Sequence, residues 1–160
     1  MTVPLSEICI ELDRLIDSWE PRLESLSEQT VSVTRNNQNR TIKEIVGHMV
    51  DSATNNTHRI IHLQYQESPV NYPDYANLGN NDRWIAIQNF QVEQWQLLVR
   101  LWVSVNRHIV HVIGQADNAK MGQVWVSATG EEISLGAMIE DYPLHFRLHL
   151  NEIEELIKAS

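Results

Sequence analysis

Cys9 is the only thiol in the 160-residue chain, so no intrachain disulfide and no thiolate zinc cage can form. A reducing interior suits such a chain. Glycine (6) and proline (5) are scarce, which argues against a collagen-like, Gly-rich or disordered polypeptide. Basic residues are also few. Twelve Lys and Arg stand against 21 Asp and Glu, for a formal charge of −9. That sign speaks against nucleic acid or an anionic membrane surface as the partner. Long apolar runs are missing as well. The longest stretch free of Asp, Glu, Lys and Arg is Met121 to Gly130, ten residues, against the ~18 that a membrane helix needs. The first residues carry Glu7 and lack the basic start of a signal peptide, so a cytoplasmic location is expected.

What the chain has in unusual supply is tryptophan (5) and histidine (7). Its length suits one domain spanning residues 1–160. Three polar or turn-rich stretches, 34–40, 68–81 and 114–130, separate four segments with apolar residues at steps of three and four. The spacing predicts helices over Leu5–Glu28, Thr41–Gln66, Asn81–Val112 and Ser134–Lys158. In the first, Pro21 calls for a kink or two abutting helices. The second opens on Thr41-Ile42-Lys43-Glu44, a capping box. The third places Trp84, Ile87, Trp95, Leu98, Trp102 and Ile109 inward, with Gly114 as its C-cap. The fourth starts at Ser134 as N-cap. Val124-Trp125-Val126 and the turn at Thr129-Gly130 suggest a short β-hairpin before it. Together these features predict an all-α four-helix bundle with at most a small hairpin.

On the fourth segment, ~100° per residue brings His145 and His149 to the inward side, one turn apart. An i, i+4 histidine pair directs two imidazoles at one point, as in helical zinc sites. Two imidazoles hold a metal weakly, so a third ligand has to come from another helix. The candidates are His48, His58, His62, His108 and His111. His108 and His111 fall on the far side of their helix. The helical wheel leaves both His48 and His62 open.

The stretch from Thr41 to Asn56 (TIKEIVGHMVDSATNN) resembles the second-helix signature of the DinB-like metalloenzyme superfamily. The stretch from Ile139 to His149 (IEDYPLHFRLH) resembles its fourth-helix signature, and Tyr72–Tyr75 and Trp84–Arg107 are also similar to one branch. The resemblance covers most of the chain. It implies an up-down-down-up bundle, frequent homodimers and a three-histidine site for a divalent metal. Carried over position by position, the implied ligands are His48, His145 and His149. Pro143, two residues before His145, departs from a clean helical pattern and could re-aim both imidazoles.

Three neutral imidazoles leave a coordination position open, as catalytic sites do. They suit zinc, nickel or iron(II) without ranking them. The expected function is a metal-dependent enzyme acting on a small molecule, either as a hydrolase or as a low-molecular-weight-thiol S-transferase. The alternative is a non-enzymatic dimeric bundle, a ligand-binding or interaction protein whose histidines are merely packed. Asp51, Asn55 and Asp141 are candidates to orient the ligands, and no separate general base stands out. Trp84, Trp95 and Trp102 read as core, and Cys9 as a small buried apolar residue. Leu144 and Leu148 fall off the inward stripe and suggest a second contact surface, such as a subunit interface.

Overall fold

The computed structural model describes residues 3–160. Four long helices form the body: α1 (Leu5–Glu24), α3 (Ile42–Tyr65), α5 (Trp95–Gly114) and α6 (Leu135–Lys158), with two shorter ones, α2 (Glu28–Val33) and α4 (Asn80–Gln88). In α1 the three-four spacing becomes the buried row Ile8, Leu12, Ile16, Trp19 and Leu23. Pro21 does not interrupt it. α1 stops at Glu24, short of the expected Glu28, and Ser27 caps the separate helix α2 by accepting from the Thr30 N–H.

α3 begins as expected. Thr41 accepts from the Glu44 N–H, and the Glu44 carboxylate takes the Thr41 N–H. Its apolar residues Ile42, Ile45, Met49, Ala53, Ile60 and Leu63 are all buried. α3 packs against both α5 and α6, while α1 packs mainly against α5. α6 runs from its Ser134 cap to Lys158 and continues through Pro143.

The third expected helix is two. Asn89 adopts a left-handed conformation (φ 50°), ends α4, and is followed by a single 3-10 turn over Phe90–Val92 before α5 begins. This break changes the fate of the face assigned to it. Trp95, Leu98, Trp102 and Ile109 are buried, but Trp84 is 40% and Ile87 83% exposed. The cause is visible at Phe90, which turns inward and lays its ring on the backbone of α3 at Gly47. A Cβ there would lie 2.2 Å from the ring.

The hairpin forms, with β2 (Val124–Val126) antiparallel to β3 (Glu132–Ser134) and Gly130 in the turn at φ 84°. A third strand, β1 (Val70–Asn71), joins β2 in parallel with Val70 opposite Trp125. Two residues are too short for a hydrophobic alternation to reveal in a sequence. The sheet brings Trp125, 3% exposed, against α3.

The Gly47–Phe90 contact generates a prediction. Gly47→Ala should force the Phe90 ring outward and destabilise the fold by about 1–3 kcal/mol, as overpacking does. Urea unfolding measures this, and an unchanged midpoint would refute the close approach.

Candidate metal centre

The three histidines implied by the resemblance converge between α3 and α6. One ligand nitrogen from each of His48, His145 and His149 lies within 4.8 Å of the others. His48 and His149 are 4% and 5% exposed, and His145 is half-buried. The Nε2 atoms of His145 and His149 are 3.0 Å apart. Two lone pairs facing each other at that distance repel unless a proton or cation lies between them. Nitrogens so spaced can both reach one ion at the usual ~2.1 Å.

Two neighbours determine which nitrogen is free. The Glu152 carboxylate is 2.8 Å from His149 Nδ1 and accepts its N–H. Tyr75 Oη is 2.5 Å from His48 Nδ1 and 3.2 Å from the His48 carbonyl. A hydroxyl has a single proton. If Tyr75 gives it to the His48 carbonyl, the hydroxyl oxygen accepts from Nδ1–H and leaves the Nε2 lone pair open. Burial pushes the Tyr75 phenol well above its ordinary value, so the hydroxyl keeps that proton. The Glu152 contact therefore favours the tautomer that a metal requires, and the Tyr75 contact is compatible with it.

Electrostatics keep His48 and His145 neutral. Burial first, then His149, His145 and Arg40, hold the His48 value down to about 2. Burial and His149 lower that of His145 to about 4, against an opposing pull from Glu152. Neutral imidazole is the ligating form.

The candidate orienting residues lie elsewhere. Asp51 is buried, but both its oxygens accept from Gln88 Nε2 at 2.8 and 2.9 Å. Asn55 donates to the Asp51 carbonyl, and Asp141 is exposed at the cavity wall. Tyr75 and Glu152 hold the histidines instead. Glu152 had a readable signal, since it stands three residues after His149 on the same face. Tyr75 arrives from a loop and had none beyond its place in the stretch from Tyr72. The remaining histidines stand outside the cluster. His58, His108 and His111 are exposed, and half-buried His62 meets Tyr65 and Gln66.

The cluster opens on a cavity of about 660 Å³ whose wall includes Arg59, Trp125, Met138, Tyr142 and Leu148. Three histidines from two rigid helices, with an adjoining cavity, can hold a divalent ion with space beside it for a small molecule.

No family model matches the chain, and no curated protein sequence does. Solved structures do. YfiT from Bacillus subtilis, described as a probable metal-dependent hydrolase with an unusual four-helix bundle topology, matches with a TM-score of 0.83 at 15% identity, over 97% of this chain and 86% of that one. A mycothiol-dependent maleylpyruvate isomerase matches with a TM-score of 0.73 at 11% identity, over 96% of this chain. The chain spans only 61% of that isomerase. At these identities the likeness carries the fold alone, a four-helix bundle as the sequence predicts.

The buried groups make stability depend on pH in the metal-free protein. His48 and His145 titrate below their ordinary 6.5 when folded, so the unfolded chain binds more protons and stability falls as pH drops from 6.5 toward 4. Asp51 works the other way. Burial raises it from 3.8 to about 6, so it costs stability as pH rises through that window. Two histidines outweigh one carboxylate, leaving a slope of roughly one proton, or ~1.4 kcal/mol per pH unit. Chelator-treated protein should therefore gain Tm between pH 4.5 and 6.5, and Asp51→Asn should steepen the gain. Thermal scans across that range decide it; a shallower slope in Asp51→Asn would contradict the sign assigned to that carboxylate.

Proposed function

We propose that this chain is a metal-dependent enzyme in which His48, His145 and His149 hold a divalent ion, zinc, nickel or iron(II), beside a small-molecule cavity. The observation that carries the reading is the convergence of three imidazoles, with a nitrogen of His48 engaged by Tyr75 and one of His149 by Glu152. A bound ion would supply Lewis acidity toward water or a thiol, giving a hydrolase or a low-molecular-weight-thiol S-transferase. The description of YfiT supports the first reaction and the thiol dependence of the isomerase the second.

The chain's own residues have definite parts. Tyr75 and Glu152 orient two of the ligands. Met138, Trp125 and Leu148 give the cavity apolar walls that limit water and strengthen polar contacts within it. We read residues 1–160 as one functional domain, acting in a reducing cytoplasm where Cys9 stays free.

We also propose a homodimer. Leu144 and Leu148 are 56% and 54% exposed on α6, and Leu148 borders the cavity. Sedimentation at tens of micromolar should show a dimer that Leu148→Glu weakens at least tenfold. A wild-type monomer would exclude it.

Elemental analysis of tag-free protein tests the metal site. Wild type should carry about one equivalent of metal, and His48→Ala or His149→Ala little or none, because two imidazoles hold an ion poorly. His62→Ala should retain it, and Glu152→Gln should weaken affinity by ~10–100-fold. Equal metal in wild type, His48→Ala and His149→Ala, or none in wild type after supplying zinc, nickel and iron, would return the chain to a bundle with packed histidines.

A further inference from the structure

The cavity has a second polar feature that metal binding does not use. Arg59 lies about three turns beyond His48 on α3, its side chain 5% exposed, and lines the same cavity. Its guanidinium stacks over Trp125, 4.2 Å from the ring centroid. Nε and Nη2 have no acceptor, and Nη1 reaches only Asn56 Oδ1 at 3.5 Å. The Asp74 carboxylate lies 3.7 Å from Nη2, but its oxygens are already taken. Oδ1 accepts from the Ala76 and Asn77 N–H groups, and Oδ2 from Asn77 Nδ2 and the Ala128 N–H. Asp74 thus balances the charge of Arg59 without satisfying its donors. Arg40, also buried in this wall, donates to Asp82 at 2.6 Å and keeps an unbonded Nε.

We propose that Arg59, supported by Arg40, is a carboxylate-recognition site, so that the substrate is a small organic acid anchored at Arg59 with its reacting end toward the three histidines. This deepens the metal-enzyme reading and rests on it for the reaction, though not for the binding. Contact with the Trp125 face restrains the guanidinium, and a planar carboxylate meets a guanidinium fork with two parallel hydrogen bonds. Nε and Nη2 are sealed from solvent, so the guanidinium has to turn toward the cavity when the acid binds. An arginine fork takes phosphate as well as carboxylate, but phosphate sites commonly add clustered backbone donors. The first turn of α6, beside this cavity, has none to spare. The Leu135 N–H donates to the Gln123 carbonyl, that of Gly136 to Met121, and that of Ala137 to Ser134 Oγ.

Calorimetric titration of chelator-treated protein with malonate, its neutral isostere malonamide, and methylphosphonate tests the proposal apart from the metal. Malonate should bind at least tenfold more tightly than the other two. Arg59→Gln should lose at least tenfold of that affinity. Arg107→Gln, whose charge serves Asp13 and Asp17 on α1, should lose none. His149→Ala should still bind malonate, which separates failure of this site from failure of the metal site. Should Arg59→Gln fail to fold, Arg40→Gln and the Arg59 Nε–H resonance of labelled wild type take its place. Weakened malonate binding in the variant and a resonance shifted by malonate are then expected. Malonate and malonamide bound alike, methylphosphonate bound tighter, an unaffected Arg59→Gln, or an unmoved resonance at millimolar malonate would overturn it.

Discussion

The burial of α3 on almost every side is the constraint on which the rest of the structure depends. Besides its apolar row it buries Lys43, His48, Asp51, Ser52, Asn55, Thr57 and Arg59, and Thr41 at its cap. Polar groups taken from water need partners or neutrality, or they cost more than the burial returns. The segment that breaks between α4 and α5 supplies many of those partners. Gln88 holds Asp51, and Gln91 accepts from Thr41 Oγ1. The carbonyls of Gln91 and Glu93, with the Glu28 carboxylate, surround the ammonium of Lys43. A straight helix over Asn81–Val112 would carry these groups away from α3. The turn at Asn89 and the inward Phe90 serve the polar demand of the neighbouring helix as much as the apolar one.

That interplay sets what could be read from the sequence. Caps at Thr41 and Ser134, the rows in α1, α3, α5 and α6, and the i, i+4 pair on α6 all follow from local periodicity, and the structure keeps them. The break at Asn89 is invisible to periodicity, because Trp84 and Ile87 continue the three-four steps of the residues beyond it. Tertiary contacts overrode local pattern there. α2 escaped notice for a related reason, since six residues with one buried side chain, Val31, hold too little pattern to detect. Pro143 shows the opposite outcome. It lies where α6 is buried, and the helix continues through it, leaving His145 and His149 on one face.

At the site, the pair on α6 was legible from spacing alone, whereas the choice of His48 over His62 was not. Spacing cannot say which flank of a helix meets a third element. The structure separates them by their surroundings. His48 sits under the Tyr75 loop among the rings of Tyr75, His145 and His149, while His62 shares its Nδ1 with Tyr65 and Gln66 at the surface. The residues that orient the ligands were the least legible. Acidic and amide side chains close to His48 in sequence are recruited by α3 and α4 themselves, and orientation passes to a tyrosine from a distant loop and a glutamate one turn along α6.

Charge is distributed in the same spirit. A chain with formal charge −9 keeps two arginines buried around its histidine cavity, each beside a carboxylate that leaves part of the guanidinium unbonded. Buried cations are costly unless their surroundings are already arranged for them. Asp74 is held by four N–H donors and the guanidinium of Arg59 is restrained by Trp125, so much of the arrangement stands ready before anything enters the cavity. The same holds for the imidazoles: burial keeps His48 and His145 neutral, and Tyr75 and Glu152 orient His48 and His149. In both halves of the site the fold has spent its polar partners on orienting side chains and left their inward-facing atoms free. Groups that served only stability would be satisfied by the protein itself. Here the unbonded guanidinium nitrogens belong to two arginines whose side chains line the histidine cavity, which is where a ligand would complete them.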